Sequence, residues 1–142
     1  MNTAKKITTT ELGRYAERIA GHYFESLGAV ILEQNLRVKK YEIDLIVDLK
    51  GLIVVIEVKM RQNNTYGAPR EHLSSNQFNR ITTAYEWWAR KKKIWDQEVR
   101  FDLIEYYPQE NRLVHLENAF RPLSSLAQQA NVYSMGQNGY IL

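Results

Sequence analysis

The sequence predicts an α/β domain: a mixed five-stranded sheet whose first three strands form an antiparallel meander, with helices packed against it. Three observations carry this. Residues 41–59 read as a β-hairpin, two stretches of helical period flank that region, and a further run of strand-like residues begins at Val99. In the hairpin, Ile43, Leu45 and Val47 alternate with Glu42, Asp44, Ile46 and Asp48. A turn follows at 48–51, with Gly51 supplying the positive φ of a three- or four-residue loop. Residues 52–56 are continuously apolar, as in a central strand covered on both faces.

Taken in order, residues 1–7 are expected to form a mobile N-terminal tail. Thr8 and Glu11 fit a capping box, so a helix should start there and run to about Leu27. Leu12, Tyr15, Ala16, Ile19, Tyr23 and Leu27 recur at helical spacing as its buried stripe, and Gly28 suits the C-terminal cap. Glu17 lies beside that stripe with Gly13, Ala20 and Gly21 as helical neighbours. Such small residues allow close approach of the sheet or a ligand; a packing contact with Glu17 merely solvated is the alternative. Residues 29–37 read as the first strand, and Lys39-Lys40 as the turn into the hairpin. A polar loop follows at 61–70. A second helix is expected from Ser74 or Ser75 to about Lys92, with Phe78, Ile81, Tyr85 and Trp88 on its apolar face. Residues 99–106 form the fourth strand and 112–116 a short fifth. The domain is therefore placed at 8–121, with a polar C-terminal tail at 122–142 rich in Ser, Gln and Asn.

The chemistry concentrates in the hairpin. Glu57 and Lys59 stand two apart on one strand, so their side chains share a face. An odd pairing sum across the turn brings Asp44 opposite or diagonal to Glu57 on that face; an even sum separates them. Buried charge is costly unless paired or bound to metal. Two carboxylates can hold Mg²⁺, which prefers oxygen ligands and keeps several waters. A lysine beside them can orient or activate water or offset transition-state charge. A surface ion pair of Glu57 with Lys59 or Lys39 is the competing explanation. Asp102 is either a further member of the acidic cluster or a structural residue at a strand end. Gln77 either closes a capping box with Ser74 or points toward Glu57. The run Arg90-Lys91-Lys92-Lys93, with Trp87 and Trp95 nearby, suits a helix C-terminus and equally offers charge for phosphates and aromatic faces for unpaired bases.

Composition narrows the classes. The chain has 142 residues, enough for one domain with its own core. No apolar run approaches the ~20 residues of a membrane span, and the N-terminus lacks the apolar stretch of a signal peptide. The absence of cysteine excludes disulfides and thiolate metal sites and suits the cytoplasm. A net charge of +3 points mildly to an anionic partner.

Glu17 on a first helix, Asp44 on a strand and Glu57-Val58-Lys59 on the next resemble the core of the PD-(D/E)xK nucleases, in an arrangement similar to the archaeal Holliday junction resolvases. More closely, the chain resembles the YraN-like bacterial family of predicted endonucleases. The matching segments are Gly13-Arg14-Tyr15-Ala16-Glu17-Arg18-Ile19-Ala20, Asn35-Leu36-Arg37, Glu42-Ile43-Asp44-Leu45-Ile46, Ile56-Glu57-Val58-Lys59, Arg100-Phe101-Asp102 and Asn118-Ala119-Phe120. They span about residues 11–120. Tyr41 stands where that family usually has glycine, and Asn76-Gln77 where it usually has Lys-Gln.

The resemblance implies a restriction endonuclease-like fold and Mg²⁺-dependent hydrolysis of DNA phosphodiesters, with branched or structured DNA as substrate and Mn²⁺ as a substitute ion. Asp44 and Glu57 would bind the metal with the Val58 carbonyl. Glu17 would hold a water of its shell or a second ion, and Lys59 would position or activate the nucleophile. Arg37, Arg61, Gln77, Lys91, Lys92 and Lys93 are the candidate nucleic-acid contacts. No membrane partner is expected, and a homodimer is compatible with the sequence. The alternative is a non-catalytic nucleic-acid-binding or protein-docking module that keeps the fold.

Overall fold

The computed structural model describes residues 5–61, 75–119 and 130–134, the last by backbone alone. Its elements are α1 (Thr9–Ser26), β1 (Val30–Val38), β2 (Tyr41–Leu49), β3 (Leu52–Met60), α2 (Ser75–Lys92), β4 (Val99–Tyr107), β5 (Arg112–Leu116) and β6 (Ala130–Ser134). The sheet runs β1-β2-β3-β4-β5-β6 in spatial order. The first three strands are the antiparallel meander, β3 and β4 are parallel, and β4, β5 and β6 are again antiparallel. The one parallel pair is the one bridged by α2, because only a crossover can return the chain in the same direction. The five expected strands are all present. β6, within the stretch read as a polar tail, adds a sixth beside β5. The rest of that tail, residues 1–4, the loop beyond Arg61 and the Ser74 cap lie outside the described residues.

Helix α1 begins as its sequence dictates. Thr8 Oγ1 accepts from the Glu11 N–H at 3.2 Å, while Glu11 Oε2 accepts from the Thr8 N–H at 2.8 Å. It ends in a Schellman motif: the Ala29 N–H reaches the Phe24 carbonyl at 3.0 Å and the Gly28 N–H the Glu25 carbonyl at 2.9 Å, with Gly28 at φ 92°. The buried stripe keeps Ala16, Ile19 and Tyr23 of the expected one and adds Ala20 and Phe24, while Leu12 and Leu27 are half-buried. Tyr15 is consequently 38% exposed and meets Tyr106 edge-on. Phe24 decides the shift, since burying its ring removes more apolar area from water than fully burying Leu12 or Leu27 would.

The sheet separates two cores. One holds α1 with Leu45, Val47, Val54, Ile56 and Ile104; the other holds α2 with Ile46, Ile53, Val55 and Leu103. Adjacent residues of β2 and β3 thus enter opposite cores, which is why residues 52–56 carry no polar position. The β2–β3 turn is tighter than expected, with only Lys50 and Gly51 outside the strands, at φ 52° and 95°. Asp48 and Leu49 continue the ladder opposite Ile53 and Leu52, and Asp48 Oδ1 accepts the Gly51 N–H at 2.8 Å. Positive φ at both loop residues matches the right-handed twist of the flanking strands.

Candidate active site

The β2–β3 register has the odd sum: Leu45 faces Ile56 and Leu49 faces Leu52. Continued by one step, it sets Asp44 opposite Glu57. The ladder stops at Leu45 and Ile56, although β2 begins at Tyr41 and β3 runs to Met60. Beyond that point the two strands part. The Val58 N–H is claimed by a side chain instead of a backbone carbonyl, donating to Asp44 Oδ2 at 2.8 Å. The alternation of β2 breaks at the same place. Leu45 and Val47 enter the α1 core, whereas Ile43, of the same parity, enters the α2 core. Asp44 therefore sits where the sheet opens.

On β3, Glu57 and Lys59 share the parity of Ile53 and Val55. Lys59 Nζ lies 3.5 Å from Glu57 Oε1, with the two side chains 31% and 17% exposed. Burial pushes the Glu57 carboxyl up to about 8, reinforced by the negative charge of Asp44 and opposed by Lys59. Burial also raises Asp44, against the lowering effect of the Val58 N–H and of its hydrogen bond with Glu57. Burial thus favours the protonated form of both carboxyls. Glu17 approaches Asp44 from α1. It is raised by burial and then by Asp44, while a hydrogen bond from the Asn35 side chain acts the other way. The four expected residues form a row, Glu17–Asp44–Glu57–Lys59. Among the described residues no three carboxylate or imidazole groups form a ready metal cage.

An open cleft of about 760 Å³ leads to Asp44 from the α1 side, lined in part by Gly13, Arg14, Glu17, Asn35, Arg37 and Glu42. A side chain at Gly13 would meet nothing there, whereas one at Gly21 would press Ile31 at 3.3 Å. The two glycines thus have different reasons: one keeps the cleft open and the other lets α1 rest on β1. Arg37 is exposed at the cleft. Gln77 is half-buried in the first turn of α2, and Lys91, Lys92 and Lys93 are exposed at its far end. These four do not line this cleft. Arg61 follows β3 and is held by Glu105, Nε to Oε2 at 3.0 Å.

Two residues near the acidic row were not singled out from sequence. Asn35 stands at φ 50° inside β1, a left-handed conformation that asparagine tolerates better than most residues. A bulge between Ile31 and Glu33 shifts the register so that Gln34 pairs with Leu45, which carries Asn35 to the level of Asp44. Glu42 adds a repulsive charge to both Glu17 and Asp44. The signal for both lay in short segments already noted for their resemblance, without a role attached.

Asp102 does not join this row. It is fully buried and accepts from Arg100 Nε at 2.9 Å, Arg100 Nη2 at 2.7 Å and the Asn118 N–H at 3.1 Å. His115 Nε2 lies 2.7 Å from it, and His115 Nδ1 lies 2.8 Å from the Tyr23 hydroxyl. The structural alternative holds for this residue. Arg100-Phe101-Asp102 and Asn118 form one network that ties β4, β5 and α1 together.

The acidic row and the Asp102 network both fall largely within a stretch shared with other proteins. Residues 16–105 match the uncharacterised protein family UPF0102. A UPF0102 protein of Clostridioides difficile is 38% identical over 110 residues, covering 78% of this chain and 96% of the relative. One from Persephonella marina is 33% identical over 108 residues, covering 76% and 91%. One from Clostridium botulinum is 40% identical over 96 residues, covering 67% and 78%. No helix among the described residues is long and apolar enough to cross a membrane. With the model match spanning most of the chain and the relatives agreeing, the chain belongs to the uncharacterised protein family UPF0102.

Proposed function

We propose that this protein is a divalent-metal-dependent DNA endonuclease acting on branched or structured DNA. The observation that carries the reading is the pair Asp44 and Glu57: two half-buried carboxyls set side by side by the register where the β2–β3 ladder opens, with Lys59 Nζ 3.5 Å from Glu57. Buried carboxyls that repel one another are a cost to the fold unless a cation uses them. A donor set of two carboxylates with solvent access fits Mg²⁺, which keeps waters in its shell instead of demanding a protein cage. The Val58 carbonyl completes the set by resemblance. When bound, the ion supplies positive charge that stabilises phosphoryl transfer and acidifies water. Asp44 and Glu57 would hold it through their carboxylate oxygens. Glu17, across the cleft mouth, accepts a hydrogen bond from water and aligns it. Lys59 would set its ammonium against the nucleophile or the phosphate.

The Glu57–Lys59 ion pair favours one second reading: a nucleic-acid-binding or docking module that keeps the fold without turnover. Calorimetric titration with Mn²⁺ separates the two. Cleavage of single-stranded, duplex, flap and four-way DNA with Mg²⁺ or Mn²⁺ then tests the enzyme. If the folded protein shows neither metal binding nor cleavage, this assignment is overturned.

A further inference from the structure

A second feature lies at the same end of the sheet as the acidic row and takes no part in it. Trp87, on α2, is 50% exposed. Its neighbour Trp88 is buried and donates its indole N–H to Glu33 Oε1 of β1 at 3.0 Å. That bond helps fix the rotation of α2 against the sheet and leaves Trp87 turned to solvent. Two lysines from different elements meet at its ring. Lys39 Nζ, from the β1–β2 turn, lies 5.3 Å from the ring centroid, and Lys91 Nζ, one turn on along α2, lies 5.9 Å from it. Lys40, next in the turn, stands 5.5 Å from the Tyr41 ring. A turn and a helix far apart in sequence thus build an exposed indole flanked by ammonium groups, where sequence alone showed two unrelated basic runs.

We propose that Trp87, Lys39 and Lys91 form a stacking platform for an unpaired nucleotide of a DNA strand. An exposed indole is a sequence-tolerant face for a base, and the flanking ammonium groups match the phosphates on either side of it. An incoming base takes one face of the ring, and the displaced lysine moves to the adjoining phosphate. The platform's place in the fold sets its use. Asp44 is five residues along the chain from Lys39, about 17 Å at the rise of a strand. A strand stacked at Trp87 can therefore run on to the acidic row. This rests on the reading of the chain as a DNA endonuclease and deepens it: the DNA would present unpaired nucleotides beside the cleaved bond.

The test is binding of fluorescein-labelled oligo(dT) by anisotropy, in EDTA, so that neither metal binding nor cleavage enters. Trp87→Ala should weaken oligo(dT) binding about tenfold and weaken binding of a duplex of equal charge far less. Trp87→Phe, which keeps an aromatic face, should restore most of the loss. Lys39→Ala with Lys91→Ala should reduce the slope of log K against log salt by about 1.4, as expected for two contacts to single-stranded phosphates. Trp87 is a surface residue, so circular dichroism should be unchanged in every variant. The proposal is overturned if Trp87→Ala binds oligo(dT) as wild type does, if duplex and oligo(dT) lose equally, or if wild type binds no oligo(dT). In each of these cases Mn²⁺ titration of the same protein still reports on the acidic row alone.

Discussion

Replacing Asp44 with asparagine separates its charge from its structural bond. Asp44 Oδ2 accepts the Val58 N–H at 2.8 Å, and an amide oxygen can accept the same bond. Alanine would instead orphan a part-buried donor, at a cost of about 1–3 kcal/mol. Asparagine removes a negative charge beside Glu57, whose carboxyl is pushed up to about 8 first by burial and then by that charge. A carboxyl raised from 4.5 to about 8 in the folded protein contributes stability that is complete below pH 4.5 and is lost as pH rises through about 8. Asp44, also raised, acts with the same sign. Metal-free wild type should therefore weaken across that window, and Asp44→Asn should flatten the decline. Each pKa unit corresponds to about 1.4 kcal/mol. With burial the larger cause, about 1 kcal/mol of relief at pH 8 is expected, or roughly 4 °C in Tm for a chain of this size. Mn²⁺ should act in the opposite sense. At about a hundredfold its Kd it should stabilise wild type by about 2.7 kcal/mol, and the variant by a small fraction of that. Scanning calorimetry at pH 6 and pH 8, with and without Mn²⁺, reads these effects, and cleavage of a labelled four-way DNA should be lost in parallel. The reasoning fails if Asp44→Asn is stabilised by Mn²⁺ as much as wild type, cleaves as well, or unfolds outright, since the last would make Asp44 a structural residue.

Lys59→Ala should bind Mn²⁺ at least as tightly as wild type, because a positive neighbour has gone, yet cleave about 10²-fold more slowly; equal rates would remove Lys59 from the chemistry. Asp102→Ala should destabilise the fold by about 3–5 kcal/mol in urea titration, because it strands the half-buried Arg100 and the buried His115, while Mn²⁺ affinity of the folded fraction stays the same. Lys93 occupies the left-handed position of the Schellman motif ending α2, at φ 59°, with the Ile94 N–H bonded to the Ala89 carbonyl at 2.9 Å. Lys93→Gly should therefore raise stability by about 1 kcal/mol. Gly28→Ala should do the reverse, since φ is 92° and the new methyl would meet Lys50 Cε at 3.0 Å.

Much of this protein was legible in the order of its residues because the relevant physics is local. The capping box at Thr8 and Glu11, the αL glycine at 28 and the apolar run at 52–56 specify α1 and β3 with little help from the rest of the chain. The pairing of Asp44 with Glu57 was legible only conditionally, since a shift of one residue in a hairpin sends every side chain to the other face. The two-residue turn at Lys50 and Gly51 settled it, and that depended on Asp48 and Leu49 staying in the ladder. The partial shift of the buried face of α1 toward Phe24 was decided by which rings the sheet could bury. The role of Asp102 was decided by Arg100, His115 and Tyr23, the last two from distant segments. Lys39 and Lys91 meet on Trp87 for the same reason: β1 and α2 pack together only in the folded chain. The sequence determined which side chains with useful chemistry the protein carries and which short elements hold them. The tertiary structure decided which of those side chains meet, because burial and pairing energies depend on neighbours that lie far along the chain.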